Sequence, residues 1–496
     1  MKKRFMRVLA FAAIVLVCAV VTQAADWWAS EVISSSRLGN SPYNDPEAVL
    51  GKPTVWMNNS GAPSDPDPCA VSMVIPAWNV GWPAGEKLIT TIKAKSPTEP
   101  AGHITVKFDT RIYDDPNNWY GKDFIVFGNS FFAAGGSYVY SDSNMANVVM
   151  AAYEGSGWWE PSPVSVSQDG VTWYSFSNGP YADDYAPTQA LAWDWVEQRW
   201  LKNSSDAEVE LDFTRPTPPV YDKADFNGKS AAEGIDLYRG SGGGTAFDLA
   251  ELPLPADPIT GRKWIQYIKV DGVNGEVDAF ARVSHQIDNI PIGAAKKLPD
   301  GTRVALKEAV VSSATYEVGR FCYVEHSDRS GGIKVMGRLL ERNKRYVIYG
   351  DMDTIGNERV ILATAVTLVE DNTDAVAPLG MPNKSVYGSG LHTTGLLVRT
   401  WGRTLSVDQT DKSFVIDDGS GRHIKCIAPK TTPPYYNAGN PGDPDWGVTV
   451  NSSFVPPAVD HFVAVTGISS IESDGLGGFI TVIRLRNGGD VQSCNQ

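Results

Sequence analysis

The sequence has few of the residues on which motif-defined enzymes and metal sites depend. Its 496 residues include six histidines and five cysteines, and none of them forms an HExxH, a CxxC or a zinc-finger spacing. A P-loop and a G-x-S-x-G nucleophile elbow are also missing. These absences exclude the commoner zinc enzymes, P-loop NTPases and serine hydrolases. We therefore predict a non-catalytic protein, with an unrecognised carbohydrate-active hydrolase as an alternative.

Long apolar runs are missing after the first 24 residues. Residues 1–24 begin with Lys2, Lys3 and Arg4, continue through an apolar stretch over 8–21 and end in small residues. This order is typical of a secretory signal peptide. No later run approaches the ~20 apolar residues of a membrane span, so we predict no transmembrane segment in the mature chain. The expected location is secreted or at the cell surface.

Positive charge is scarce in the first half of the chain. Residues 25–295 carry 18 basic and 35 acidic side chains, whereas residues 296–370 have a net charge of +2 and residues 371–496 of −3. A strongly acidic module repels phosphate backbones, so we predict that nucleic acid is a poor partner. A neutral glycan, a cell-envelope component or a divalent cation suits this composition better.

Cysteine is too sparse after residue 24 to form a disulfide framework. The four that remain, Cys69, Cys322, Cys426 and Cys494, are far apart in the sequence. Export permits disulfides, and a Cys322–Cys426 or Cys426–Cys494 bridge stays open at this point.

Short segments rich in β-branched and aromatic residues recur along the chain and predict an all-β fold. The clearest is 160–176, EPSPVSVSQDGVTWYSF, in which Asp169-Gly170 separates two alternating runs. Such a dipeptide between alternating runs is a strong β-hairpin signal. The single helical pattern of note is 191–202, LAWDWVEQRWLK, which predicts one short helix.

Four segments occur in a suggestive order: DFIVFGN at 123–129, the hairpin at 160–176, FDLAE at 247–251 and VDAF at 277–280. Together they resemble a family of secreted bacterial cell-surface proteins and are similar to discoidin-type, galactose-binding-like domains. The resemblance implies a jelly-roll β-sandwich over 25–292 and a structural calcium ion where loops meet strand ends. One position departs from the pattern, because Gly128 stands where the family has glutamate.

The remainder of the chain contains an internal repeat. Residues 321–337, FCYVEHSDRSGGIKVMG, match residues 413–428, SFVIDDGSGRHIKCIA, in strand and turn pattern. Each copy offers about five short strands, the pattern of a small Greek-key barrel. We predict OB-like barrels over 293–372 and 373–496, the second with a long loop insertion at 429–460.

Calcium binds six to eight hard oxygen atoms from carboxylates, amides and loop carbonyls. Oxygen-bearing side chains next to apolar strands in the first module are therefore candidate ligands, with solvated acids and turn caps as the alternative. The candidates are Asp109, Asp114, Asp115, Asp123, Asn129, Glu160, Asp248, Asp271 and Asp278. Neighbouring acids such as 114–115 and 183–184 also suggest a glycosidase pair, but adjacent side chains in a turn point in different directions.

Aromatic residues are concentrated in the same module, which holds 13 of the 15 tryptophans. Tryptophans in loops can stack on sugar rings, so we predict an aromatic platform for a glycan. Its candidate residues are Trp78, Trp82, Trp119, Tyr120, Trp158 and Trp159. The predicted function is a glycan- or envelope-binding module on a β-rich spacer. Self-assembly into a surface layer or fibre is the alternative.

Overall fold

The computed structural model describes most of the chain after the predicted signal peptide. It covers residues 26–41, 43–58, 68–70, 89–133, 145–150, 157–184, 187–388, 392–431 and 448–494, excepting the side chains of 56–58, 68–70 and 157–158. The described residues confirm the predicted all-β class, with a β-sandwich followed by two barrels. None of the helices in these ranges is long and apolar enough to cross a membrane.

The first module is a two-layer sandwich of antiparallel strands. Its larger sheet has the order β1-β5-β14-β9-β10 and its smaller sheet the order β13-β6-β16. These strands span Glu31–Ser36 (β1), His103–Tyr113 (β5), Phe124–Phe127 (β6), Val164–Ser167 (β9), Trp173–Ser175 (β10), Thr245–Phe247 (β13), Trp264–Asp271 (β14) and Ala279–Arg282 (β16). The core lies between the sheets because β5, β9 and β14 alternate apolar side chains toward it.

Short paired strands and one helix complete the sandwich module. They are Trp56–Asn58 (β2), Pro68–Ala70 (β3), Thr90–Thr91 (β4), Phe131–Phe132 (β7), Gly157–Trp158 (β8), Trp193–Asp194 (β11), Arg199–Trp200 (β12), Glu276–Val277 (β15) and helix α1 at Ala231–Tyr238. Single 3₁₀ turns lie at Pro46–Val49, Trp119–Gly121, Lys223–Phe226 and Leu249–Glu251.

The hairpin at 160–176 forms as its sequence predicts, whereas the predicted helix at 191–202 does not. In the hairpin, one Asp169 carboxylate oxygen accepts the N–H groups of Val171 and Thr172 at 2.8 and 2.7 Å. Residues 191–202 instead form the β11–β12 hairpin, because Trp193 and Trp200 pair directly and bury both indoles.

Helix α1 begins where the sequence carries a local start signal. The Ser230 side chain and Glu233 each bind the other's backbone N–H, which forms a capping box.

Each barrel has five main strands in the same closed order. In the first barrel the order is β18-β19-β20-β22-β21 with β18–β21 closure, and in the second it is β24-β25-β26-β30-β29 with β24–β29 closure. The third and fifth strands of both barrels pair in parallel, so both copies share one five-stranded Greek-key topology of the OB type.

The elements of the first barrel are Asn289–Ile290 (β17), Ile292–Ala295 (α2), Arg303–Ser313 (β18), Cys322–Glu325 (β19), Gly332–Met336 (β20), Arg345–Ile355 (β21) and Glu358–Glu370 (β22). The elements of the second are Leu379–Gly380 (β23), Asn383–Val386 (α3), Leu397–Val407 (β24), Phe414–Asp417 (β25), His423–Ile427 (β26), Lys430–Thr431 (β27), Thr449–Val450 (β28), Phe462–Ser473 (β29), Phe479–Arg484 (β30) and Val491–Ser493 (β31).

The cysteines of the barrels do not form the bridges that the sequence leaves open. Cys322 and Cys426 are buried and free, and Cys494 is exposed and free. Each buried thiol lies in the apolar core of its own barrel, so the barrel cores separate the two sulfur atoms.

Candidate metal centre

Four chain segments bring Glu160, Asp183 and Glu276 together into what we call the Glu160 cluster. Ligand oxygens of the three carboxylates lie within 4.8 Å of one another. Backbone pairing between Ser162 and Ala182 places the segment before β9 beside Asp183. The β15–β4 pair places Glu276 opposite Thr91, whose hydroxyl donates to Glu276 Oε1 at 3.0 Å. The cluster is therefore assembled by tertiary contacts rather than by one local motif.

The Asp183 carboxylate occupies the space beside Gly128. A Cβ atom at position 128 would lie 2.1 Å from Asp183 Oδ1, closer than any real contact, so only glycine fits there. The same oxygen accepts the backbone N–H of Ser130 at 2.6 Å. Asp183 thus places a carboxylate directly against the backbone of Gly128.

The charges of the Glu160 cluster oppose one another. At a separation of 4.8 Å, two unit charges repel by about 3.5 kcal/mol at an effective dielectric constant of about 20. Burial, and next the charge of Glu160, raise the pKa of Glu276 to about 9. Burial also raises the pKa of Asp183 well above its ordinary value, although the Ser130 N–H opposes this shift. The three groups therefore need a counter-charge or protons.

Buried oxygen atoms in this cluster lack protein partners. Asp183 is 2% exposed and Asn129 is 4% exposed. Among the described residues, Asp183 Oδ2, Glu276 Oε2 and both amide atoms of Asn129 form no hydrogen bond. A buried polar atom without a partner costs roughly 1–3 kcal/mol. The free carboxylate oxygens of Asp183 and Glu276 are therefore available to a cation that binds oxygen ligands.

Asp114, Asp123 and Asp248 form a second group, which we call the Asp123 cluster. Their oxygens also lie within 4.8 Å of one another, and Asp123 is fully buried. Asp123 Oδ1 accepts the Asp115 N–H at 3.0 Å and the Asn118 side-chain amide at 3.1 Å, and Oδ2 accepts the Leu249 N–H at 2.8 Å. Both oxygens of the central carboxylate therefore bind protein donors.

Protein cations balance the outer members of the Asp123 cluster. Lys122 lies 3.9 Å from Asp248. Burial raises the pKa of Asp114, while Lys263 and Arg262 act in the opposite direction. Burial also raises the pKa of Asp123 to about 7, and the Leu249 and Asp115 N–H groups oppose this. The Asp123 cluster is thus stabilised by the chain itself.

The other predicted calcium ligands lie apart from both clusters. Asp109 accepts the Ser30 hydroxyl at 2.7 Å, and Asp271 lies 3.6 Å from Lys269. Asp278 accepts the N–H and hydroxyl of Thr54 at 2.8 and 2.7 Å.

Asp115 is buried and binds the side chains of Arg262 and His285. It lies 2.8 Å from Arg262 and 3.0 Å from His285. Burial raises the pKa of Asp115, but hydrogen bonds from Asn117 and His285 and the charge of Arg262 leave it lowered. Asp115 is therefore held as a carboxylate by protein groups.

Of the predicted aromatic platform, the structure describes the side chains of Trp119, Tyr120 and Trp159. Trp119 is 2% exposed, and the guanidinium of Arg215 lies 4.0 Å from its ring centroid and 4.5 Å from that of Tyr349 in the first barrel. Tyr120 is 37% exposed beside it. The indole of Trp119 therefore joins two modules and offers no open stacking face.

Of the other candidate tryptophans, only the side chain of Trp159 lies within the described residues. Trp159 is half-buried, with Lys223 Nζ 4.4 Å from its ring and Phe132 packed edge-on at 5.1 Å. Trp78, Trp82 and the side chain of Trp158 lie outside the described residues.

Two members of the Glu160 cluster were missed as ligands by sequence reasoning. Asp183 was considered only as half of an acidic pair with Asp184, and the structure separates the two because Asp184 binds Lys223 at 2.7 Å. Glu276 follows a glycine before a closing strand and has no local signal of its own.

Comparison with known proteins gives few matches. No family model and no curated protein matches the chain. The structure of a murine DNA-binding protein bound with double-stranded DNA is 10% identical, covers 38% of this chain and 96% of that chain, and has a TM-score of 0.19. A Replication Protein A heterotrimer bound to single-stranded DNA is 14% identical, covers 41% of this chain and 51% of that chain, and has a TM-score of 0.17.

These neighbours correct one prediction. Both are DNA complexes, which contradicts the prediction that nucleic acid is a poor partner. We withdraw that exclusion, together with the assignment of a glycan, an envelope component or self-association as the partner. Both TM-scores are below 0.5, so the likeness carries no argument about what this chain binds.

Proposed function

We propose that the protein is an exported, non-catalytic β-scaffold whose sandwich binds one calcium ion in the Glu160 cluster. The observation that carries this proposal is a set of buried oxygens that bind no described donor, at Asp183, Glu276 and Asn129. The basic and apolar start of the sequence supports export.

The donor set favours calcium over other metals. Glu160, Asp183, Glu276 and the Asn129 amide supply oxygen atoms only, and calcium takes six to eight such ligands at flexible positions. Transition metals prefer imidazole and thiolate. Magnesium requires a near-octahedral shell with several waters, which three crowded carboxylates fit less well. Extracellular calcium modules bind with dissociation constants of about 10⁻⁴–10⁻³ M, which suits an exported protein.

The role of the ion in this proposal is to cross-link the sandwich. Its three carboxylates come from segments that precede β9, follow β10 and open β15, so one ion would connect the larger sheet to the β15–β4 pair. Bound calcium would neutralise the carboxylates and satisfy their buried oxygens together. The ion would therefore stabilise the module without taking part in a reaction.

Titration of the full chain with Ca²⁺ and Mg²⁺ by calorimetry tests the proposal. We expect one calcium site, with magnesium bound at least tenfold more weakly because of its stricter geometry. Asp183→Asn should abolish the calcium heat, and Asp114→Asn in the Asp123 cluster should retain it. No saturable calcium binding, or equal loss in both variants, would refute the proposed function.

A further inference from the structure

A cleft of about 560 Å³ opens at the edge of the sandwich, above the Asp123 cluster. Its apolar floor includes Ile112 and Val283, which are buried, and Trp27 and Tyr113 form aromatic parts of its lining. The cleft also collects cationic side chains, although the surrounding module has a strong excess of acids. The lining thus contains two arginines beside a single carboxylate, that of Asp115.

The cations that line the cleft are not equivalent. Arg282 donates to the backbone carbonyls of Asp26, Arg111 and Thr110 at 2.7–3.0 Å. Its guanidinium is therefore occupied in holding the wall of the cleft.

Arg262 retains free donors. Its Nε donates to the Asp114 carbonyl at 2.9 Å, and its Nη2 lies 2.8 Å from the Asp115 carboxylate. A guanidinium has five N–H groups, so three remain beyond these two contacts. The Arg262 guanidinium carbon also lies 5.2 Å from the centroid of the Tyr113 ring.

His285 retains one free ring nitrogen. Its Nε2 lies 3.0 Å from Asp115 Oδ2, and since a carboxylate only accepts, this nitrogen carries the proton. The side chain is 69% exposed, and its other nitrogen bonds to none of the described residues. Asp115 therefore holds an arginine and a histidine side by side at the cleft.

Hydrogen bonds to Asp123 position the Asp115 backbone and the Asn118 side chain beside the cleft. Asp123 accepts the N–H of Asp115 and the side-chain amide of Asn118, and Asn118 also lines the cleft. The carboxylate that orients Arg262 and His285 is thus positioned by a buried hydrogen-bond network.

We propose that this cleft is a binding site for a small organic carboxylate. The carboxylate group would pair with the N–H groups of Arg262 that bind no described acceptor, because they match its planar geometry. An apolar or ring-shaped body would lie on the aromatic and aliphatic lining. This site is separate from the calcium centre and does not depend on it.

Calorimetric titration of the full chain with benzoate, benzamide and inorganic phosphate tests the assignment. Benzoate should bind in a saturable manner, and the neutral isostere benzamide should bind at least about tenfold more weakly because it lacks the charge-assisted pair. Equal binding of benzamide, tighter binding of phosphate or no saturable binding of benzoate would each overturn the proposal.

Variants localise the binding. Arg262→Lys should weaken benzoate binding about tenfold because lysine lacks the planar fork. Arg403→Lys is the matched control, since Arg403 pairs with Asp460 in the second barrel, away from the cleft, and it should bind benzoate as the parent does. Thermal melts establish that each variant is folded, and unchanged binding in the folded Arg262→Lys variant would overturn the assignment.

Discussion

The Glu160 and Asp123 clusters each contain three carboxylates whose oxygens lie within 4.8 Å of one another, yet these oxygens have different surroundings. The buried carboxylate of the Asp123 cluster accepts three hydrogen bonds, and lysine and arginine lie near its outer members. In the Glu160 cluster, Asp183 and Glu276 each keep one buried oxygen without a described donor. Proximity of acids alone therefore does not identify a metal site. The two clusters differ in whether their buried carboxylate oxygens accept hydrogen bonds from protein donors.

The largest expected effect comes from Asp123→Ala. This change leaves three donors, on Asp115, Asn118 and Leu249, without their acceptor, at roughly 1–3 kcal/mol each. The free energy of unfolding of the sandwich should fall by about 4 kcal/mol or more, equally with calcium and with EDTA. Denaturant titration followed by tryptophan fluorescence measures this. A loss of stability seen only with calcium present would mean that the Asp123 cluster also binds calcium. The two clusters would then be the same kind of site.

Calcium removal should have the next largest effect, confined to the Glu160 cluster. A ligand at about 100 times its dissociation constant stabilises by about 2.7 kcal/mol, so EDTA should lower the melting temperature of the sandwich by about 5–10 °C. Differential scanning calorimetry measures this on the full chain. Asp183→Asn should melt at the same temperature with and without calcium, and a calcium-dependent shift that persists in this variant would contradict the assignment.

Gly128→Ala should have an intermediate effect on both stability and calcium affinity. The new Cβ would overlap Asp183 Oδ1, and such overpacking typically costs about 1–3 kcal/mol. Gly293→Ala is the matched control, because a Cβ there meets no atom within 4 Å. Thermal melts with and without calcium compare the two. Equal behaviour of both variants would show that Asp183 does not require the space at 128.

A further expected effect is a change in the pH dependence of the calcium-free protein. The pKa of Glu276 is raised from 4.5 to about 9. Its contribution to stability is therefore fully present below about pH 4.5 and is lost as the pH rises towards 9. Glu276→Gln cannot ionise, so its melting temperature in EDTA should fall less between pH 5 and pH 8.5. Parallel slopes for parent and variant would mean that Glu276 is not a source of this dependence.

Sequence patterns predict the all-β class and the paired barrels because strand alternation and repeated turns are local features. The same patterns fail at 191–202, where the apolar spacing fits a helix but pairing of Trp193 with Trp200 produces a hairpin. They also fail at Trp119, because the residue that packs on its ring edge, Tyr349, belongs to the first barrel. Contacts between modules leave no signal within either segment.

The sequence predicts only part of the candidate site, because contacts between distant segments leave no local signal. Glu160 and Asn129 stand out because they lie beside apolar strands, and Asp114, Asp123 and Asp248 stand out in the same way. Which of these acids have hydrogen-bond donors depends on loops that meet only in the folded chain. Asp183 and Glu276 become ligand candidates only through those contacts.

A crystal structure of the protein soaked in strontium, a calcium substitute with an anomalous signal, tests the central claim most directly. We predict one anomalous peak bounded by Glu160, Asp183 and Glu276, and none between Asp114, Asp123 and Asp248. A peak in the Asp123 cluster with none in the Glu160 cluster would contradict the account.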